Sequence, residues 1–345
     1  MTRVGLVGFG MAGATFHTPL LQAAGLDIVA ISTANPQRAA QARAAVPAAR
    51  VAPDLESLLA TPKLDLVVIA SPSGHHVDNA RATLEAGVAT VVDKPLACDA
   101  SAALGLIDDA TELGVPLTVF QNRRYDPEFC TLRRILADGE VGEVYRTEFR
   151  WERWRPTPPR RWREAEPAES GGGLLLDLHT HLIDQVVQLF GPVDTVYAEV
   201  EARTTRAEDD TFLALRHTSG AVTHVGASSV AGAPGPRIRV LGRRGAYVLG
   251  SAGDETTAFP DANSGAGHHG WVVRGEQREP VVASVSDPAD FYREVAAALT
   301  APDPQASMPV DPRDAVHVLA VVDAARISGR DGRVVEVITP GQAPA

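Results

Sequence analysis

Gly8, Gly10 and Gly13 stand in Gly-x-Gly-x-x-Gly spacing directly behind the apolar run at 3–7. That spacing suits a pyrophosphate. The first glycine permits a tight turn, the second lets the backbone approach the ligand, and the third lets the following helix sit close to the strand. The backbone of Gly8, Phe9, Gly10, Met11, Ala12 and Gly13 would then face the anion, helped by the positive end of a helix predicted over 11–24. In a chain with 30 glycines the motif alone is a weak signal, so its setting decides. A strand precedes it, a helix opens inside it, and a βαβ pattern follows. The next strand, at 27–32, selects the nucleotide. NAD binders usually carry a carboxylate about 20 residues on, for the ribose 2′-hydroxyl. Here the strand ends Ser32-Thr33-Ala34-Asn35, and Arg38 follows early in the next helix. Hydroxyls and a guanidinium suit a 2′-phosphate, so the expected cofactor is NADP, with NAD the alternative. The plainer reading of Ser32 and Thr33 is turn and cap chemistry.

These residues need a scaffold. Further apolar strands are predicted at 64–70, 88–93 and 115–120, separated by helices at 36–45, 76–86 and 99–113. Asn35 caps the first of these helices, with Pro36 at its first position. Near-continuous apolar strands alternating with helices imply a doubly wound parallel sheet covered on both faces. After a helix at 126–138 the texture changes. Alternating polar and apolar runs at 144–154, 195–203, 210–217, 221–229, 237–242 and 246–250 predict a mostly antiparallel sheet with one face covered. His268 and His269 fall in a Gly/Ser-rich stretch that reads as loop. Helices are predicted at 287–301 and 312–328. The chain is therefore α/β, with a Rossmann domain at 1–121 and a second α/β domain with a large open sheet at 122–345.

Composition excludes several classes. Of 345 residues, 45% are hydrophobic and the net charge is -11, which makes nucleic acid and anionic membrane poor partners. The arginine-rich stretch 146–163 is interleaved with Glu and Trp. Two cysteines, Cys98 and Cys130, make no disulfide framework. With no leader pattern and no apolar run near ~18 residues, a soluble, cytoplasmic protein is expected.

The remaining motifs, in order, are "SPSGHH" at 71–76, "DKP" at 93–95, "QNRRYD" at 121–126, "RWRE" at 161–164 and "LDLHTHLIDQ" at 176–185. Over nearly its whole length the chain resembles the family of glucose–fructose oxidoreductases, inositol dehydrogenases and MocA-type proteins. It is most similar to the branch containing NADP-dependent scyllo-inositol dehydrogenases. The resemblance implies a Rossmann domain plus an open-sheet domain, with dimers or tetramers formed through that sheet. It places Ser71, Pro72, Ser73 and His76 along the cofactor, and Asp93, Lys94 and Pro95 on the family's Glu-Lys-Pro motif beside the nicotinamide. Asp177 and His181 fall on its Asp-x-x-x-His motif. Two departures stand out: Asp93 replaces the commoner Glu, and His179 occupies a usual glycine position, where it would narrow the substrate pocket.

Oxidising a secondary alcohol needs a base for the hydroxyl proton while hydride leaves carbon; the reverse needs an acid. Lys94 ends a strand at the edge where doubly wound sheets bind ligands. Asp177 and His181, four apart, share a helical face, where a carboxylate orients an imidazole. An imidazole titrates near pH ~6.5, so His181 is expected to accept the proton while Lys94 polarises the oxygen; the reverse assignment stays open. Asn122, Arg123, Tyr125, Trp162, Arg163 and His179 are candidates to hold a small polyol or sugar, and half of such residues would prove structural. No metal is expected, because His179 and His181 point apart on a helix. Two other functions fit the motifs: an NAD-dependent glycosidase working by transient oxidation and elimination, and a non-catalytic NADP(H) sensor.

Overall fold

The computed structural model describes residues 1–158, 162–250, 258 and 268–341. The chain forms two compact units, Met1–Asn122 with Asp287–Val316, and Arg123–Ser286 with His317–Ala345.

The first unit holds a six-stranded sheet: β1 (Arg3–Val7), β2 (Asp27–Ser32), β3 (Arg50–Ala52), β4 (Leu66–Ile69), β5 (Ala89–Asp93) and β6 (Leu117–Phe120). All pairs are parallel, in the order β3-β2-β1-β4-β5-β6. Strand order reverses between β1 and β4, and ligands in such sheets bind outside the carboxyl ends at that switch. Strands β4 and β5 are buried along their whole length, which is why they read as near-continuous apolar runs. The edge strand β3 and the short helix Leu55–Leu59, capped by Asp54, had no strong pattern. The helix behind the glycines begins with a π-turn, Gly13–His17, before the α-helix Thr18–Ala23. Segment 287–316 returns to this unit late in the chain and covers its edge. Gln305 accepts from the Leu117 N–H at 2.8 Å and donates to its carbonyl at 3.1 Å, and the Thr118 hydroxyl donates to the Val310 carbonyl at 2.7 Å. Edge strands need such cover.

Among the described residues of the second unit, nine strands form one sheet. These are β7 (Val144–Glu152), β8 (Val193–Glu201), β9 (Asp210–His217), β10 (Val222–Ser228), β11 (Ile238–Gly242), β12 (Gly245–Leu249), β13 (His268–Arg274), β14 (Gln277–Val282) and β15 (Val335–Glu336). Their order is β14-β13-β12-β11-β7-β10-β9-β8-β15, and only β7 and β10 pair in parallel. Alternation is clear: Thr147, Phe149, Trp151, Leu213, Leu215 and Val225 are buried, while their neighbours are more exposed. His268 and His269 belong to β13, not to a loop; pairing with β14 overrides the local Gly/Ser composition. Among the described residues no helix is long and apolar enough to cross a membrane.

Candidate active site

In the first unit, Gly8 has φ +95°, and a Cβ there would lie 2.6 Å from the Ala70 carbonyl oxygen. A Cβ on Gly13 would lie 2.2 Å from the Gly8 carbonyl oxygen. Both positions demand glycine to fold the turn. Gly10 is different: the space beside it is open, and its nearest neighbour is the Arg38 guanidinium, 3.8 Å from where a Cβ would be. An open cradle at a helix N-terminus with a guanidinium at its rim fits a dinucleotide phosphate. Phe9 is buried and gives the turn only its backbone, whereas Met11 is exposed. Ser32 is buried, and Asn35 is occupied as an N-cap, accepting from the Gln37 and Arg38 N–H groups at 3.0 Å each. Thr33 accepts from the Asn35 N–H at 3.3 Å.

Lys94 follows the carboxyl end of β5, half-buried, with a cis bond to Pro95. Asp93 folds back beneath it: its Oδ1 accepts the Lys94 N–H at 2.8 Å, while Oδ2 stands 3.6 Å from His17 Nε2. Burial pushes the Asp93 carboxyl up, but its interactions with His17 and the charges of Lys94 and His76 outweigh this and hold it below the usual range. His76 is buried, with Nδ1 2.7 Å from the Pro95 carbonyl and Nε2 2.9 Å from the Ser71 carbonyl. Burial dominates over Asp93 and both carbonyls and lowers its pKa. The neutral ring, with one N–H, donates to one of these two carbonyls and sits between the 71–76 segment and the lysine turn. Ser73 is also buried, and Ser71 accepts from the Asn79 amide at 3.0 Å. Asn122 is half-buried where the turn Asn122–Tyr125 begins.

In the second unit, Asp177 lies on a π-turn, Leu175–His179, and His181 in the first turn of the helix Thr180–Phe190. The extra residue of a π-turn alters the simple four-residue spacing, and such turns are frequent at functional sites. Asp177 Oδ1 is 3.3 Å from Arg163 Nε, an ion pair that the helical spacing did not announce. His181 is buried, its ring 6.0 Å from Trp151. Trp151 is the hub here, with Arg237 at 4.1 Å, Arg123 at 4.9 Å and Arg153 at 5.2 Å from its ring. Arg123 also pairs with Asp126 at 2.7 Å, and buried Arg237 with Glu128 at 3.4 Å. Arg124 grips buried Asp184, one turn beyond His181, through two hydrogen bonds of 2.5 and 2.9 Å. Tyr125 is half-buried on the same turn as Arg123 and Arg124.

A small cleft is bordered by Arg155, Arg163, Glu164, Asp177, Thr205 and Glu208. Glu208 accepts the Leu175 N–H at 3.2 Å, and its carboxylate fills the space a Cβ on Gly173 would need, 2.0 Å away. Burial raises the Glu208 pKa. Trp162 lies under the Arg163 guanidinium at 4.7 Å; Arg161 is outside the described residues.

His179 requires a correction: it does not narrow a pocket. It is fully buried, with Nε2 2.7 Å from the Thr211 hydroxyl. That hydroxyl donates onward to the Ala227 carbonyl at 3.0 Å, so it accepts the proton of Nε2. Burial pushes the His179 pKa down to about 3, and the ring is a neutral core group.

Sequence reasoning missed His17, Tyr292, Trp151, Arg237 and Glu208. Trp151 shows its burial through strand alternation; the others carry no local signal, because their partners are far away in the chain.

Residues 2–121 match the family model described as oxidoreductase family, NAD-binding Rossmann fold, and residues 129–248 match the GFO/IDH/MocA C-terminal domain. A Bacillus subtilis protein named scyllo-inositol 2-dehydrogenase (NADP(+)) IolW is 28% identical over 96% of this chain and 95% of its own. The Escherichia coli oxidoreductase YdgJ is 38% identical over 71% of this chain and 70% of its own. The solved structure of the oxidoreductase YvaA from Bacillus subtilis superposes with a TM-score of 0.84 at 26% identity, covering 97% of this chain and 98% of that one.

Proposed function

The chain belongs to the Gfo/Idh/MocA family of oxidoreductases with an NAD(P)-binding Rossmann domain, and from that premise we propose that it moves hydride between NADP(H) and a secondary alcohol or ketone of a cyclic polyol or sugar. The observation that carries this reading lies in the first unit. The open cradle behind β1 and the Lys94 ammonium behind β5 occupy the carboxyl edge of one parallel sheet.

When bound, the nicotinamide supplies the hydride acceptor or donor. The cradle from Gly8 to Gly13 holds the pyrophosphate, and Arg38 beside Gly10 takes the 2′-phosphate. Lys94 donates to the reacting oxygen and stabilises the charge that grows on it. His181 is assigned to accept the alcohol proton, and the Arg163–Asp177 pair to orient the substrate. The cleft beside Asp177 mixes guanidinium, carboxylate and hydroxyl groups. A ring whose hydroxyls each donate and accept suits such a lining. The polyol assignment leans on the Bacillus subtilis relative, which is named for scyllo-inositol and NADP(+). We assign the outward face of the nine-stranded sheet to association between copies, and the enzyme to the cytoplasm.

The test is a screen of cyclic polyols and their ketones with NADP(H) and NAD(H), read at the nicotinamide absorbance. Turnover of a cyclic polyol with preference for NADP is expected. Turnover of an acyclic substrate alone, or preference for NAD, contradicts the proposal.

A further inference from the structure

We infer that Tyr292 and His17 are positioning residues that hold the Asp93 carboxylate beneath the Lys94 turn; the inference rests on Lys94 acting at the reacting oxygen. His17 closes the π-turn behind the glycines, and Tyr292 lies 275 residues away in the helix Asp290–Ala298. Both are completely buried. His17 Nδ1 and the Tyr292 hydroxyl are 2.5 Å apart. Burial, with the charge of Asp93 adding to it, pushes the Tyr292 phenol well above its ordinary pKa, so it keeps its proton and donates it to Nδ1. The ring proton then sits on Nε2, the nitrogen that faces Asp93 Oδ2. Asp93 Oδ1 accepts the Lys94 N–H. The order is phenol, imidazole, carboxylate, amide.

Packing locks this order. The Phe120 ring is 4.4 Å from His17 and stacks on Tyr292 at 5.6 Å, so neither ring swings freely. An apolar filling of the same space would cost less desolvation, so stability alone does not explain the polar set. The charged and titratable groups facing Asp93 are His17 from the first helix, His76 from the helix His76–Glu85, its neighbour Lys94, and Tyr292 through His17. Oδ1 holds the Lys94 N–H at 2.8 Å and Oδ2 faces His17 Nε2 at 3.6 Å, so the carboxylate is held against the Lys94 backbone.

Tyr292→Phe keeps the ring and its stacking and removes only the hydroxyl; His17→Gln removes the imidazole. Carboxyl-carbon NMR of the full chain follows the Asp93 titration without any substrate, and nitrogen NMR of histidine reads the His17 tautomer. The expected result is a wild-type His17 protonated on Nε2, a mixed tautomer in Tyr292→Phe, and an Asp93 titration moved to higher pH in both variants. Turnover is probed with the ketone of scyllo-inositol and NADPH. In Tyr292→Phe, kcat falls about tenfold with KM unchanged, and the acidic limb of the pH profile moves up, because the carboxylate has lost what keeps it ionised. Unaltered Asp93 titration and His17 tautomer in Tyr292→Phe overturn the inference, and that variant stays informative if His17→Gln does not fold. Normal turnover by Lys94→Ala instead overturns the functional reading and leaves the NMR outcome standing.

Discussion

Alanine at each of two glycines separates folding from binding. At Gly13 a new Cβ would sit 2.2 Å from the Gly8 carbonyl oxygen, a backbone atom that cannot swing away. Overpacking of this kind costs about 1–3 kcal/mol, which lowers the melting temperature by several degrees in a chain of this size. At Gly10 the Cβ meets only the Arg38 guanidinium, at 3.8 Å, and no left-handed φ has to be kept. Replacing such a glycine by alanine stabilises by about 0.4–1 kcal/mol through the unfolded chain. The methyl would nonetheless stand where the pyrophosphate must approach. Gly10→Ala should therefore melt at or slightly above the wild-type temperature while binding NADPH at least about tenfold more weakly, a loss of ~1.4 kcal/mol. Thermal unfolding and NADPH fluorescence titration measure the two quantities on the same samples. A Gly10→Ala variant that binds NADPH as tightly as wild type would refute the cradle.

Arg38→Ala should weaken NADPH binding strongly and leave NADH binding nearly unchanged, in parallel titrations; equal losses for both would remove Arg38 from the 2′-phosphate. His179 predicts a pH dependence of stability. Its folded pKa of about 3 lies below the ordinary value of 6.5, so the folded protein binds fewer protons than the unfolded chain. Its contribution is full above pH 6.5 and is lost as pH falls toward 3, at about 1.4 kcal/mol per pH unit. Denaturant unfolding between those limits should give a shallower slope in His179→Gln than in wild type, and identical slopes would contradict the buried neutral ring.

The parallel sheet was legible because fully buried strands such as Leu66–Ile69 and Ala89–Asp93 are near-continuous apolar runs between helices. The open sheet was legible from alternation, as in Asp210–His217. Strand Arg50–Ala52 was not, since three residues carry no period. The two π-turns were hidden as well: one extra residue in a helical ladder changes neither composition nor capping. Long-range partners lie beyond any local pattern. Nothing near Asp177 announces Arg163, nothing near His17 announces Tyr292, and an amphipathic helix such as Asp290–Ala298 does not say which sheet it covers. His179 misled for the same reason: its position in a site motif was visible, while Thr211, which receives it in the core, was not. The candidate site was legible as a set of residue types, and its connections were not.

The most direct measurement is single-turnover hydride transfer by Lys94→Ala, preloaded with NADPH and mixed with the ketone of scyllo-inositol. With Lys94 at the reacting oxygen, NADPH binds with near wild-type affinity while the rate of its oxidation falls by at least about 10². An unchanged rate would contradict the account.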